Sequence, residues 1–359
     1  MKIGTSMPKT SPTSTNPEPE KAVAVSVSAS RTRWTHIVAV CTALTALAPI
    51  VMGAQTTTTN AGMAFPDWPT SDGHGMLTYP WLSSTGAKFL EHGHRLGGAL
   101  IGLASVVLML VLQWCEDRRW VRRLGYVVLL AVILQGLLGG QRVVRDALNS
   151  RGLAFVHGST AALVFALMCG VAVVTSRRWH LAGDDAPVDD SNPGIPSPFV
   201  AWLAGGTWIA VYVQYVLGGL VRHQGQALIE HLVFAFVAGL LVVMLGVTAA
   251  ASGHRWLRGP SLAAGVVMLL QLALGAGAWI TKFGFNDRVA VAGSTEQVAF
   301  RTLHVLNGMA LFATVTVLAL RVFRLRWVAR KSGTLSWASG TDAAPNPRPS
   351  TVVTRGGVA

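Results

Sequence analysis

Charged side chains are scarce in this sequence, and their scarcity excludes an ordinary soluble domain. Asp, Glu, Lys and Arg make up 13% of the 359 residues, about half the usual share of roughly 25%. Hydrophobic residues make up 51%, and the mean hydropathy is +0.47. These charges are too few to cover the surface of a soluble protein of this size. Long apolar segments must therefore face lipid.

Cysteine is also rare, which excludes several kinds of site. The three cysteines, Cys41, Cys115 and Cys169, lie inside apolar segments or at their ends. Their spacing matches neither a zinc site nor a c-type haem attachment. Since none lies in a predicted outer loop, we expect no structural disulfide.

The net charge of +13 comes from short basic runs rather than from a continuous basic face. The runs stand beside apolar segments, at residues 118–123, 177–178, 255–258 and 321–331. This distribution follows the positive-inside rule for multi-pass membrane proteins and argues against a nucleic-acid partner.

Eight apolar segments are each near the ~20 residues that a helix needs to cross a bilayer. They lie at residues 34–55, 91–114, 121–142, 153–176, 199–221, 228–251, 259–281 and 299–323. The basic runs all fall on one side of these segments, so both termini are predicted to be cytoplasmic. The predicted fold class is therefore an all-α membrane protein with eight transmembrane helices.

The two halves of the chain resemble each other. Gln135-Gly-Leu-Leu-Gly in the third segment matches Gln271-Leu-Ala-Leu-Gly in the seventh, and Gly53 in the first corresponds to Gly218 in the fifth. This repeat predicts two fused, pseudo-symmetric four-helix bundles. The predicted organisation is a disordered tail (1–30), an N-terminal bundle (31–178), a cytoplasmic linker (179–198), a C-terminal bundle (199–328) and a second disordered tail (329–359).

Four histidines occupy matching places in this repeat: His94, His157, His231 and His304. Each lies within about two turns of the predicted outer end of segment two, four, six or eight. A single histidine there is more often an interfacial residue. Four at one depth, two in each half, favour ligation of one haem iron by each pair of imidazoles.

The repeat breaks beside one of these histidines. Glu91 precedes His94 by three residues, so both project from one helix face, and the second half has Leu228 in its place. Arg95 is likewise matched by Leu232. A carboxylate at this depth suggests proton chemistry, although an acid in a first helical turn is also favoured by the helix dipole. Position alone does not separate these interpretations.

Haem propionates are anions and need basic partners. Several arginines lie near the predicted outer ends of the segments. We predict Arg95, next to His94, and Arg301, one turn before His304, as the partners.

The motifs around these residues resemble those of the haem A synthase family over about residues 34–325. They are Asn60-Ala-Gly-Met-Ala-Phe-Pro-Asp-Trp-Pro69, Glu91-x-x-His94-Arg95, Phe155-Val-His157-Gly158, Glu230-His231 and Leu303-His304. Some members of that family carry a cysteine pair in outer loops. This chain resembles the branch that lacks it.

The resemblance implies an enzyme that oxidises the C8 methyl group of haem O to a formyl group by successive hydroxylations with oxygen from water. It implies that His94 and His157 bind the substrate haem O, with Glu91 as the catalytic carboxylate. It implies a haem b cofactor between His231 and His304. The expected location is the bacterial cytoplasmic membrane, with the histidines toward its outer face. Expected partners are the haem O synthase, an unidentified electron acceptor and a second copy of the chain.

Two other functions fit parts of the pattern. A dihaem cytochrome b that only transfers electrons would use the same four histidines but would not need Glu91. A secondary transporter can also contain internal repeats, although four segments per half give parallel rather than inverted repeats.

Overall fold

The computed structural model describes residues 33–145, 151–182, 194–287 and 289–331. The predicted tail 1–30, nearly all of the predicted tail 329–359 and most of the predicted linker 179–198 lie outside these residues. Within them the protein is all-helical and contains no β-strand, which confirms the predicted fold class.

In the described part of the chain, eight helices are long and apolar enough to cross a membrane, so the protein is a multi-pass membrane protein. They are α1 (Arg33–Thr58), α2 (Gly86–Cys115), α3 (Arg119–Val144), α4 (Arg151–Val174), α5 (Pro198–Gln224), α6 (Leu228–Ala251), α7 (Arg255–Phe283) and α8 (Thr295–Lys331). A short helix, Arg177–Leu181, follows α4, and a 3-10 turn, Trp81–Ser83, precedes α2. Most of these helices extend a few residues past the predicted apolar segments.

Local sequence explains both ends of α5. Ser197 caps the start of α5 by accepting a hydrogen bond from the Val200 amide, and Pro198 occupies the first turn, where its missing N–H costs nothing. The same helix ends at Gly225, which has a φ of 70°. This left-handed conformation is one that glycine adopts without steric cost.

The helices of the second half form a closed ring, in which α5 packs on α6, α6 on α7, α7 on α8, and α8 on α5. In the first half α1 packs on α2, α2 on α3, and α3 on α4. The His36 ring, on α1, bonds to the Ala172 carbonyl of α4 at 3.0 Å. The pseudo-symmetry of the two halves stays a prediction.

The seam between the halves is formed by α4, which packs on α5 and α8, and by α1, which packs on α8. Helix α8 is therefore the most central element, and its Phe312, Val315 and Leu318 are fully buried. Helices α3 and α7 lie at the periphery, because only 11% of their apolar windows is buried, against 39% in α4 and α8. The large apolar side chains left exposed on these outer helices suit a lipid environment.

Candidate functional site

The four histidines predicted from the repeat form two close pairs. The ring centres of His94 on α2 and His157 on α4 are 6.1 Å apart, with the ring planes at 89°. The ring centres of His231 on α6 and His304 on α8 are 6.3 Å apart, with the planes at 90°. Each pair therefore belongs to one half of the chain, and we call this end of the helices the histidine end.

The separation in each pair fits two imidazoles that share one metal ion. Two metal–nitrogen bonds of about 2 Å in line, plus roughly 1 Å from each nitrogen to its ring centre, put the ring centres about 6 Å apart. No group of three or more His, Cys, Asp or Glu side chains in the described ranges could hold a metal ion. Two protein ligands per metal are what a haem iron needs, because the porphyrin supplies the other four donors.

A glycine on the preceding helix lies against each of the four rings. A Cβ atom added to Gly53, Gly218 or Gly275 would lie 2.7, 3.0 or 3.0 Å from Cε1 of His94, His231 or His304, respectively. At Gly139 the corresponding distance to Cε1 of His157 is 3.5 Å. Because glycine has no side chain, each imidazole lies directly on the backbone of the neighbouring helix. These glycines therefore help to determine the position of each ring.

In the first pair, the hydrogen bond of His94 leaves its other ring nitrogen suited to metal binding. His94 Nδ1 lies 2.8 Å from the Pro49 carbonyl oxygen, so it carries the proton and donates it. The Nε2 of His94 then keeps its lone pair. His157 Nδ1 is buried and has no hydrogen-bond partner within the described part of the chain. A buried nitrogen without a partner is costly in a purely structural histidine.

Glutamine side chains accompany the second pair. Gln214 Nε2 lies 3.0 Å from His231 Nδ1 and donates to the His231 carbonyl at 2.9 Å. Gln271 Nε2 lies 3.4 Å from His304 Nε2. In the first half Gln135, which matches Gln271, instead donates to the His157 carbonyl at 3.1 Å. The hydrogen bonds to the histidines therefore differ between the two pairs.

Glu91 and Arg95 are both buried and form an ion pair, with Oε1 of Glu91 2.7 Å from Nη2 of Arg95. The other carboxylate oxygen accepts the Ala64 amide at 2.6 Å. Arg95 Nη1 donates to the carbonyls of Asp67 and Thr70 at 2.8 and 2.5 Å. These two side chains therefore hold the loop between α1 and α2 against the start of α2.

Further contacts fasten the same loop. His92 is fully buried, and its Nδ1 lies 2.9 Å from Ser71 Oγ. Trp68 packs directly on Gly140 of α3. Phe65 is fully buried beneath the Arg95 guanidinium, which lies 5.1 Å from its ring centre. The loop is thus a folded cover across the ends of α2 and α3.

The Asp67 side chain stabilises a turn within this loop. Its carboxylate accepts the Gly73 amide at 2.8 Å and the Asp72 amide at 3.0 Å. The bond from Gly73, with smaller contributions from Thr70 and Asp72, lowers the pKa of Asp67 from 3.8 to about 2. The carboxylate is therefore ionised, and the turn is held, at neutral pH.

Basic side chains surround the histidine end. Arg142 at the end of α3 lies against Gly62 of the loop, and its Nε is buried without a hydrogen-bond partner in the described ranges. Arg222 at the end of α5 donates to the Ala54 carbonyl and to Thr58 Oγ1 on α1, at 2.7 and 2.8 Å. Arg301 lies close enough to Arg222 for the two charges to repel. This end can therefore neutralise anionic groups.

The histidines, Glu91, Arg95 and Arg301 were predicted from the sequence, but not all of their contacts were. Arg142 and His92 were not among the predicted site residues, and the packing of His92 depends on the folded loop. The four glycines behind the imidazoles could have been found, because the repeat already aligns Gly53 with Gly218 and places Gly139 and Gly275 at the same distance from their glutamines.

Comparison with known proteins adds independent information. The family model described as "Cytochrome oxidase assembly protein" (COX15-CtaA) matches residues 32–233, a range that contains three of the four histidines but ends before His304. A protein of Symbiobacterium thermophilum named Heme A synthase is 29% identical over 194 residues, which are 53% of this chain and 60% of the relative.

A second protein of that name, from Rhizobium rhizogenes, is 27% identical over 157 residues, which are 42% of this chain and 41% of the relative. The matches thus span about 60% and 41% of the lengths of these curated relatives.

Proposed function

The chain belongs to the cytochrome oxidase assembly protein (COX15-CtaA) family, and from that membership and its two imidazole pairs we propose that it is a haem A synthase. The observation that carries the proposal is the paired geometry of the histidines. Ring centres 6.1 and 6.3 Å apart in the two halves suit two haem irons, one between each pair.

In this proposal His94 and His157 hold the substrate, haem O, and the reaction converts its C8 methyl group into a formyl group. With water as the oxygen source, a methyl group plus one water gives the formyl group, four protons and four electrons. Two successive hydroxylations and the loss of water from the resulting diol give this balance. The four electrons pass to an external electron acceptor.

Glu91 is the proposed catalytic residue, because the reaction releases protons and needs a base near the reacting carbon. Its two oxygens are fixed by different donors, Arg95 and the Ala64 amide. A carboxylate held from both sides keeps one orientation. Arg95 therefore has a proposed positioning role at the substrate site through Glu91 and the loop.

His231 and His304 are the proposed ligands of a haem b cofactor. When bound, that haem would supply one-electron transfer. The surroundings of this pair suit such a role, since Leu228 and Leu232 stand where the first half has Glu91 and Arg95. At these two positions the second half therefore has no counterpart of the Glu91–Arg95 ion pair.

The basic side chains at the histidine end are the proposed partners of the haem propionates. Arg301 belongs to the cofactor site, as its place one turn before His304 suggests. Arg142 is the proposed partner for the substrate, because its Nε is buried without a partner in the described residues and a carboxylate would supply one. We further propose a bacterial cytoplasmic membrane location, with the histidine end outward and haem O delivered by the haem O synthase.

The test is co-expression of the chain with a source of haem O, followed by extraction and identification of the haems. Haem A is expected with the intact chain and not with Glu91→Gln, while both proteins should keep the absorption spectrum of a low-spin b-type haem. A dihaem cytochrome b is the competing function. It would be favoured if no haem A formed while both proteins showed the same haem spectrum.

A further inference from the structure

Gln214 on α5 contacts the ring of His231, and the proposed reaction gives it no role. Its Nε2 lies 3.0 Å from His231 Nδ1 and donates to the His231 carbonyl at 2.9 Å. The amide therefore occupies one ring nitrogen of a proposed iron ligand and leaves the other, Nε2, for the metal. Any influence of Gln214 on the iron must pass through that ring.

The repeat gives Gln214 a counterpart in the first half. Gln214 lies four residues before Gly218, and Pro49 lies four residues before the matching Gly53. The Pro49 carbonyl lies 2.8 Å from Nδ1 of His94. In both halves, the residue one turn before the backing glycine therefore supplies the partner of Nδ1 on the next helix.

The two partners differ in the tautomer that they impose on the ring. A backbone carbonyl can only accept, so it fixes the proton of His94 on Nδ1 and leaves Nε2 with its lone pair. A glutamine amide has a donor at one end and an acceptor at the other. Because the donor end of Gln214 faces His231, Nδ1 accepts and the proton lies on Nε2. An imidazole that binds iron through Nε2 needs the opposite tautomer.

The acceptor end of the same amide can provide that tautomer. Oε1 of Gln214 is buried and has no hydrogen-bond partner within the described residues. The last torsion of a glutamine side chain is broad and roughly two-fold, so a half turn exchanges Oε1 with Nε2. The turn gives up the bond to the His231 carbonyl and gains a bond from the Nδ1 proton to Oε1.

We propose that Gln214 is a positioning residue of the second haem site, whose amide turns so that Oε1 accepts the Nδ1 proton of His231 when iron binds. This inference rests on the proposed haem b site. An imidazole that donates its Nδ1 proton is a more basic ligand, and a more basic ligand stabilises ferric iron more than ferrous iron. Gln214 thereby lowers the reduction potential of the cofactor.

The experiment is a redox titration of the b-type haem in the detergent-purified, full-length protein. Every protein carries His94→Ala, which removes a first-site ligand and leaves one haem to titrate. Gln214→Leu removes the acceptor with little change in size and should raise the midpoint potential. Gln214→Glu supplies a stronger acceptor and should lower it. We expect each to change the ratio of ferric to ferrous affinity about tenfold, which is about 59 mV for one electron.

Gln135→Leu and Gln135→Glu are the matched controls, since they make the same changes in the first half. Gln135 donates to the His157 carbonyl at 3.1 Å and accepts from Thr160 Oγ1 at 2.7 Å, so both ends of its amide are engaged away from the second pair. These controls should keep the midpoint of the His94→Ala protein. Equal shifts at Gln135 and Gln214 would mean a general effect of the substitutions and would overturn the proposal.

The charge of a glutamate lowers a midpoint potential even without a hydrogen bond, so a second readout is required. The electron paramagnetic resonance spectrum of the ferric haem reports electron donation by its axial imidazoles. Gln214→Glu should lower the largest g-value, and Gln214→Leu should raise it. Shifts of the same sign in both variants, or no shift in either, would contradict the role of Gln214.

Haem content separates this inference from the proposed function. If the His94→Ala protein bound no b-type haem, the second site itself would be wrongly assigned, and the role of Gln214 would fall with it. If it bound haem but the Gln214 variants matched their controls, only the role of Gln214 would be wrong. Should Gln214→Leu fail to fold, Gln214→Met replaces it, because methionine has a similar length and flexibility and the same expected direction of shift.

Discussion

Replacing Gly218 with alanine tests how tightly the backbone of α5 positions the imidazole of His231. The added Cβ would lie 3.0 Å from His231 Cε1, whereas carbon atoms in contact prefer about 3.5–4.0 Å. The ring must therefore move by roughly half an ångström or more. Metal–ligand distances tolerate only about 0.2 Å, so the proposed iron bond cannot keep its geometry. A loss of about 10–100-fold in haem affinity is expected.

The substitution should not harm the helix, because alanine in a helix interior is more favourable than glycine by about 1 kcal/mol. Haem loss therefore cannot be attributed to a destabilised α5. Gly206→Ala is the matched control, since it lies on the same helix and an added Cβ there meets nothing within 4 Å. The assay is the ratio of haem absorbance to protein absorbance after purification. If Gly218→Ala retained the haem content and low-spin spectrum of Gly206→Ala, the proposed ligation of His231 would be refuted.

Four further outcomes are expected. Glu91→Gln should lower the rate of haem A formation by about 10²–10⁴-fold without changing haem content, as measured by extraction of the haems. His304→Ala should reduce the copurified b-type haem, and a normal absorption spectrum would show that the second site is wrongly assigned. Arg142→Gln should reduce retention of added haem O in a binding titration, whereas Arg145→Gln, on the same helix end, should not. Because the pKa of Asp67 is lowered from 3.8 to about 2, its contribution to loop stability should be complete above pH ~4 and lost between pH ~4 and ~2. Limited proteolysis of the loop at decreasing pH, with Asp67→Asn as the comparison, measures this loss.

The membrane helices could be predicted from the sequence because lipid imposes a simple requirement of length and apolarity. The prediction was less exact at helix ends. For example, the apolar segment 299–323 belongs to a helix that runs from Thr295 to Lys331. Outside the hydrocarbon region a helix can continue through polar residues such as Arg326 and Arg330. Hydropathy alone does not predict that such polar residues are helical.

The candidate site could be predicted only in outline. The repeat grouped His94 with His157 and His231 with His304, but the separations of the rings depend on packing between helices that are distant in sequence. Arg95 was predicted as the partner of a haem propionate, and that role stays a prediction. Its bonds to the Asp67 and Thr70 carbonyls arise from the fold of the loop, which no periodic pattern encodes.

The bonds of Arg222 have a consequence for the order in which the two sites are filled. Arg222 lies one turn after Gly218, which backs His231, and it donates to the carbonyl of Ala54, the neighbour of Gly53, which backs His94. If each half binds a porphyrin as proposed, a shift of α5 that accommodates one porphyrin would therefore reach α1 in the other half through this bond. Since such linkage is reciprocal, we expect the first porphyrin to arrive to change the affinity for the second, so assembly would be cooperative.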